Sequence, residues 1–193
     1  MHSSTLSWAD LPWLRTLWGA SNGPVILKGI QTAEDALLAH EAGLDGIYLS
    51  NHGGRQLDHA PSALRTLLEI RKFCPQILEG GMEVYVDGGV RRGSDVVKAL
   101  CLGATAVGLG RPFLYALSAY GYEGVERGIQ CEFAPAILEA DWDRMKLTRW
   151  AVLSDEIETT MRLMGVTDLD QLSEFYVNAL PLEHELPHRI SKL

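Results

Sequence analysis

Four short apolar runs, each followed by a helical segment, constrain this chain more than any other feature. The runs are Pro24-Val25-Ile26-Leu27-Lys28, Gly46-Ile47-Tyr48-Leu49-Ser50, Glu83-Val84-Tyr85-Val86-Asp87 and Thr105 to Leu109. Helical patterns cover about 32–42, 61–73, 94–102 and 113–120, with Thr32-Ala33-Glu34-Asp35 as a start signal and Gly43 and Gly103 as stops. Upstream, Ser7 would cap a helix to about Leu17, unless Pro12 starts it, because an interior proline removes a backbone bond. The runs show no polar–apolar alternation, which predicts parallel strands covered on both faces and hence an α/β fold. Lys28, Ser50, His52, Asp87 and Arg111 all fall at or just past the C-terminal end of a run. Ligands bind at that rim in β/α barrels and in open doubly wound sheets alike, so spacing leaves both architectures open.

A chain of 193 residues, 47% hydrophobic and 22% charged, can bury a core. Its net charge of −8 argues against a nucleic-acid partner. No apolar run is long enough for a membrane span, and the first residues lack a charged-then-apolar signal pattern. Cys74, Cys101 and Cys131 have no metal-type spacing, so reduced thiols in an intracellular protein are expected. The last three residues, Ser191-Lys192-Leu193, read as a peroxisomal address.

Three loops and one lysine carry the chemistry. The stretch Ser50-Asn51-His52-Gly53-Gly54-Arg55-Gln56-Leu57-Asp58 sets an imidazole and a guanidinium on either side of two glycines, which permit a sharp turn and close ligand approach. Asp87-Gly88-Gly89-Val90-Arg91-Arg92-Gly93 and Gly108-Leu109-Gly110-Arg111 have the makings of a phosphate site. Their glycines would expose backbone N–H groups, the following helix N-termini would attract an anion, and Arg91 or Arg111 could grip it bidentately. Lys28 could stabilise an electron-rich centre as a compact cation, or simply extend from a strand end into solvent.

The nine residues Ser50 to Asp58, taken with Lys28 and the two glycine loops in that order, resemble the FMN-dependent α-hydroxy-acid oxidases and dehydrogenases. The resemblance covers about residues 6–130 and resumes at about 153–180. It implies FMN as cofactor and oxidation of an L-2-hydroxy acid to a 2-oxo acid. By the same resemblance Lys28 lies beside the flavin N1–C2=O edge, Ser50 contacts the flavin, His52 is the base and Arg55 clamps the substrate carboxylate. Asp87, Gly88, Gly89, Val90 and Arg91, with Gly110 and Arg111, correspond to the ribityl-phosphate site. Another FMN or phosphate-binding barrel would explain the Asp87 loop but not His52 and Arg55 together. The C-terminal tripeptide favours the oxidase branch, with oxygen as acceptor and hydrogen peroxide as product.

Two departures from the family follow. A (β/α)8 TIM barrel takes about 250 residues, whereas four β/α units are present here; by resemblance they are the C-terminal half, followed by a helical tail. The tyrosines, second arginine and upstream flavin contacts of the family's first half are therefore expected to be missing. Residues 131–152 interrupt the family pattern, as either a surface insertion with a helix over about 135–146 or unspliced intron read in frame, the second being preferred. Residues 181–193 form the tail. Besides the active oxidase, a truncated fragment that cannot turn over remains an alternative, and association through an open half-barrel face, as a homo-oligomer or otherwise, is expected.

Overall fold

The structure is a computed structural model that describes residues 5–133 and 151–186. Its centre is a four-stranded parallel sheet of β1 (Ile26–Ile30), β2 (Gly46–Leu49), β3 (Glu83–Asp87) and β4 (Ala106–Gly108). The strands lie side by side in sequence order, β1-β2-β3-β4. A doubly wound sheet reverses its strand order at a switch point. None occurs here, so the sheet is a segment of a barrel.

Helices α1 (Leu11–Trp18), α2 (Ala33–Glu41), α3 (Ala63–Phe73), α4 (Gln76–Glu79) and α5 (Gly93–Cys101) precede, separate and follow the first three strands. Two start where a hydroxyl is available to cap them: Thr32 Oγ1 accepts from the Asp35 amide at 3.1 Å and Ser62 Oγ from the Arg65 amide at 3.3 Å. A short 3-10 turn, Trp8–Asp10, precedes α1, and Pro12 falls within the first turn of α1. There its missing N–H has no intrahelical role to lose. Helix α6 (Arg111–Phe133) runs well past the expected end at residue 120 and breaks at Gly121, whose φ is +62°. It takes in Cys131–Phe133, the start of the interrupting segment. The helix expected over about 135–146 lies outside the described residues. Helix α7 (Ala151–Met164) and the short α8 (Leu180–Glu183) complete the chain, and the C-terminal tripeptide also lies outside the described residues.

Burial departs from the sequence expectation. In register across the sheet, Leu27, Ile47 and Val84 lie on one face with Leu49, Val86 and Val107. This face packs under α2, α3 and α5, and Ile47, Leu49, Val84 and Val86 are at most 1% exposed. Lys28, Tyr48, Tyr85 and Ala106 line the opposite face, none of them fully buried. Burial therefore alternates along the strands, and β3 reads exposed, buried, half-buried, buried, half-buried. Tyrosines and charged groups replaced the expected second apolar face. They went unnoticed because tyrosine counts as a strand former and a strand-end charge reads as a boundary.

Lys28 also stands inside β1 rather than at its end. The register slips between Lys28 and Ile30, around Gly29 at φ +100°. Only glycine takes that conformation easily. The slip reverses the side-chain parity, so that Lys28 points to the open face while Ile30, 4% exposed, joins the core.

A second, smaller core joins α5 to α7 through Val97, Cys101, Met161 and Val166. Gly93 lies against α7 so closely that a Cβ there would come within 2.5 Å of the Ile157 nitrogen. Glu156 completes the junction: Oε2 accepts from the Gly93 amide at 2.7 Å, and Oε1 pairs with Arg92 at 3.2 Å.

Candidate functional site

A cleft of about 540 Å³ opens at the C-terminal ends of the strands. Its walls include Lys28 from β1, His52 and Arg55 from the β2–α3 loop, and Asp87, Gly88, Gly89, Val90 and Arg91 from the β3–α5 loop. Gly110 and Arg111, at the start of α6, close the far side. Ten of the eleven sequence-predicted site residues thus share one cleft. The exception is Ser50, which lies beneath it, 2% exposed.

The β2–α3 loop owes its shape to consecutive left-handed residues, His52 at φ +56°, Gly53 at +66° and Gly54 at +77°. Histidine in this region is uncommon and needs support. Asn51 supplies part of it: Oδ1 accepts from the Gly54 amide at 2.9 Å, and Nδ2 donates to the Pro61 carbonyl at 3.1 Å. Arg111 supplies more, donating from Nη2 to the Gly53 carbonyl at 2.8 Å. A Cβ on Gly53 would stand 3.0 Å from that nitrogen, so the glycine is needed for the approach as well as for its φ. His52 and Arg55 are both exposed to the cleft side of the loop.

Beneath the loop, Lys28 is held from several directions. Its Nζ donates to Ser50 Oγ at 2.8 Å and to Asp87 Oδ2 at 3.0 Å, and it lies 4.7 Å from the centre of the Tyr48 ring. Tyr48 in turn leans on Tyr85, ring centres 5.7 Å apart, and its hydroxyl reaches β4, where a Cβ on Gly108 would collide with it. Burial, and secondarily the Asp87 charge, push the Tyr48 phenol above its ordinary pKa, so it stays neutral.

The phosphate half corrects one expectation. Around the start of helix α5 three amides are already engaged by carboxylates: Arg91 and Arg92 N–H both donate to Asp95 Oδ2 at 3.1 Å, and Gly93 N–H to Glu156. Gly88 to Val90, before the helix, leave their amides to an anion, with Gly88 and Gly89 at φ of +90° and +81°. Sequence reasoning passed over Tyr48 and Asn51. An asparagine two residues before a Gly-Gly pair is a turn signal that could have been read; nothing local marked Tyr48.

Four cations, Lys28, Arg55, Arg91 and Arg111, face the cleft against one carboxylate, Asp87. In a chain of net charge −8, this is a local reversal of sign. It suits a ligand with a phosphate at one end and an acid at the other. The glycine-lined wall beside Arg91 and Arg111 fits the phosphate of FMN, and Lys28 fits an electron-rich ring edge.

Residues 1–134 match the FMN-dependent dehydrogenase family. The chain is 44% identical over 170 residues to L-lactate dehydrogenase (cytochrome) of Wickerhamomyces anomalus, covering 88% of this chain and 26% of that one. It is 42% identical to a peroxisomal (S)-2-hydroxyacid oxidase of Arabidopsis thaliana, over 90% of this chain and 40% of the relative. Among solved structures, the flavin-binding domain of baker's yeast flavocytochrome b2 superposes with a TM-score of 0.74 at 40% identity, covering 97% of this chain and 42% of that one. The chain thus spans well under half the length of these relatives. Family match, sequence identity and superposition agree, and the chain belongs to the FMN-dependent dehydrogenase family, the 2-hydroxy-acid oxidases and dehydrogenases.

Proposed function

We propose that this chain carries the phosphate, base and carboxylate-clamp part of a site for FMN-dependent oxidation of an L-2-hydroxy acid to a 2-oxo acid. The observation that carries this reading is the convergence of His52, Arg55 and Lys28 on one cleft with the glycine–arginine wall of Asp87–Arg91 and Arg111. Names of relatives support it: a lactate dehydrogenase, glycolate oxidases, and a flavocytochrome b2 with pyruvate bound.

In this reading Gly88 to Val90, Arg91 and Arg111 hold the cofactor phosphate, and Lys28 lies against the flavin. Bound FMN supplies a two-electron acceptor. Arg55 pairs with the substrate carboxylate through its planar fork. His52 takes the proton that the substrate surrenders, and no side chain competes for its ring among the described residues. Arg111, bonded to Gly53, ties the phosphate side of the cleft to the loop that carries this base.

Oxygen is the proposed acceptor, with hydrogen peroxide as product, and the peroxisome the proposed compartment, on the strength of Ser191-Lys192-Leu193. Relatives include both cytochrome-linked and peroxisomal members. No helix among the described residues is long and apolar enough to cross a membrane.

A second reading, a flavin-binding fragment that does not turn over alone, is favoured by the open inward face and by the edges of β1 and β4, which pair with no further strand among the described residues. Exposed Trp13, Leu17 and Trp18 on α1 and Leu114, Leu117 and Tyr120 on α6 add apolar surface through which copies or a complementary half could associate.

One experiment separates the two readings. The purified chain is titrated with FMN, sized by light scattering, and assayed for peroxide with glycolate and lactate. The first reading expects flavin binding and turnover, with His52→Ala losing about 10²- to 10⁴-fold in rate while keeping the flavin. Flavin binding without turnover supports the fragment. A chain that binds no flavin overturns both.

A further inference from the structure

We propose that Glu156 is a positioning residue for the phosphate end of the cleft: from α7 it holds the β3–α5 loop through Gly93 and Arg92, and it does not itself reach the ligand. That the ligand there is the phosphate of FMN rests on the function proposed above; the hold of Glu156 on the loop does not.

Gly88, Gly89 and Arg91 are exposed, and a glycine backbone presents its amides in one direction only when its flanks are fixed. Upstream the flank is β3, which ends at Asp87. Downstream it is the start of α5. Asp95 Oδ2 accepts from the Arg91 and Arg92 amides at 3.1 Å, but Asp95 belongs to α5 and turns with it. Glu156 belongs to another helix. Its Oε2 accepts from the amide of buried Gly93 at 2.7 Å, and its Oε1 pairs with Arg92 Nη1 at 3.2 Å. One carboxylate thus grips two successive residues at the foot of the loop.

The place of α7 explains why this grip bears on an anion. The helix packs on α5 through Val97, Cys101, Met161 and Val166, and it also contacts α6, which begins with Arg111. The two arginines of the phosphate wall, Arg91 and Arg111, therefore adjoin helices that share α7 as a neighbour. At Gly93 the approach leaves no room for a side chain, and the Glu156 side chain is only 23% exposed. A charge-assisted bond sheltered in this way is stronger than one in open water. Glu156 is nevertheless absent from the cleft wall, which takes in Arg91 but neither Arg92 nor Gly93. Its negative charge would repel a phosphate, so what it contributes is geometric. A loop whose amides and Arg91 are aimed before the anion arrives has less freedom to lose on binding.

The test titrates the full chain with FMN and with riboflavin, which differ only in the phosphate, and reads flavin fluorescence. Glu156→Ala is expected to weaken FMN about tenfold, the size of one lost charge-assisted hydrogen bond, and to leave riboflavin unchanged. Glu156→Gln, still long enough to accept from the Gly93 amide, is expected to keep most of the FMN affinity. Glu156→Asp keeps the charge but is one methylene short; it is expected to lose that affinity, and it also serves if Glu156→Ala does not fold. Without cofactor, amide hydrogen exchange read by mass spectrometry is expected to speed over residues 88–93 in Glu156→Ala and to stay unchanged over β2. Unchanged FMN affinity in Glu156→Ala overturns the proposal. Equal weakening of FMN and riboflavin, or faster exchange throughout the sheet, marks a general loss of stability and overturns it too. So does affinity kept by Glu156→Asp and lost by Glu156→Gln, which would make charge, not the bond to Gly93, the cause. A chain that binds neither flavin refutes the proposed function, and exchange over residues 88–93 then decides the role of Glu156 by itself.

Discussion

On the outward face of the sheet, Ile47, Leu49, Val84 and Val86 are sealed under helices; on the inward face Lys28 and Glu83 are exposed and Tyr48, Tyr85 and Asp87 only partly buried. The outward face is held by apolar burial, at roughly 25 cal/mol per Å² removed from water. On the inward face polar contacts dominate: the ring of Ser50, Asp87 and Lys28, the Tyr48–Tyr85 pair, and the Tyr85 hydroxyl bonded to Glu83. Stability and chemistry are thus separated across the thickness of one sheet. Substitutions on the two faces should fail in different ways.

The largest difference is expected between Leu49→Ala and Tyr85→Ala. Truncating a fully buried leucine costs about 2–5 kcal/mol through lost transfer energy and the cavity left behind. Tyr85 is only half-buried, so its truncation should cost clearly less in urea denaturation of the full chain. Equal losses would break the comparison, and would mean that the inward face is covered in solution by another chain.

Next in size are two glycines whose absent side chains make room, one on each side. Gly93→Ala would drive a Cβ into backbone of α7 and should cost about 1–3 kcal/mol, with no second-site relief, because backbone cannot rotate away. Gly108→Ala meets the Tyr48 hydroxyl instead. It should cost a similar amount alone, but Tyr48→Phe in the same chain should recover much of the loss. Failure of Tyr48→Phe to rescue, read as a thermal midpoint, would show that the tyrosine is not what excludes a side chain there.

The smallest effect tests the outward packing through pH. Glu69 on α3 has its carboxyl pKa raised, first by burial and then by Glu34, against lowering contributions from the Ala33 backbone and Arg65. A raised folded-state value means that the folded protein holds the proton to higher pH than the unfolded chain does. Stability is therefore lost as pH climbs from the ordinary glutamate range through the folded value, and the full loss is present at neutrality. Glu69→Gln should raise the denaturation midpoint slightly at neutral pH and leave it unchanged in acid below the ordinary glutamate range. A gain that persists in acid would trace to packing rather than to charge.

Much of the design was legible in the residues. The four β/α units, the strand-end location of His52, Arg55, Asp87 and Arg111, and the helix start at Thr32 follow from local pattern, because turn glycines, capping hydroxyls and apolar runs act on their immediate neighbours. Tertiary structure alone decided the rest. Strand order separated a barrel segment from a doubly wound sheet, since adjacency depends on where each crossover returns. The slip at Gly29 turned Ile30 into the core instead of onto the open face with Lys28, because register is settled by the partner strand. Glu156, 63 residues along from Gly93, took the Gly93 amide that a helix N-terminus would otherwise have offered to an anion. The burial of Ser50 also depended on three separate segments meeting around its hydroxyl, which no local pattern records.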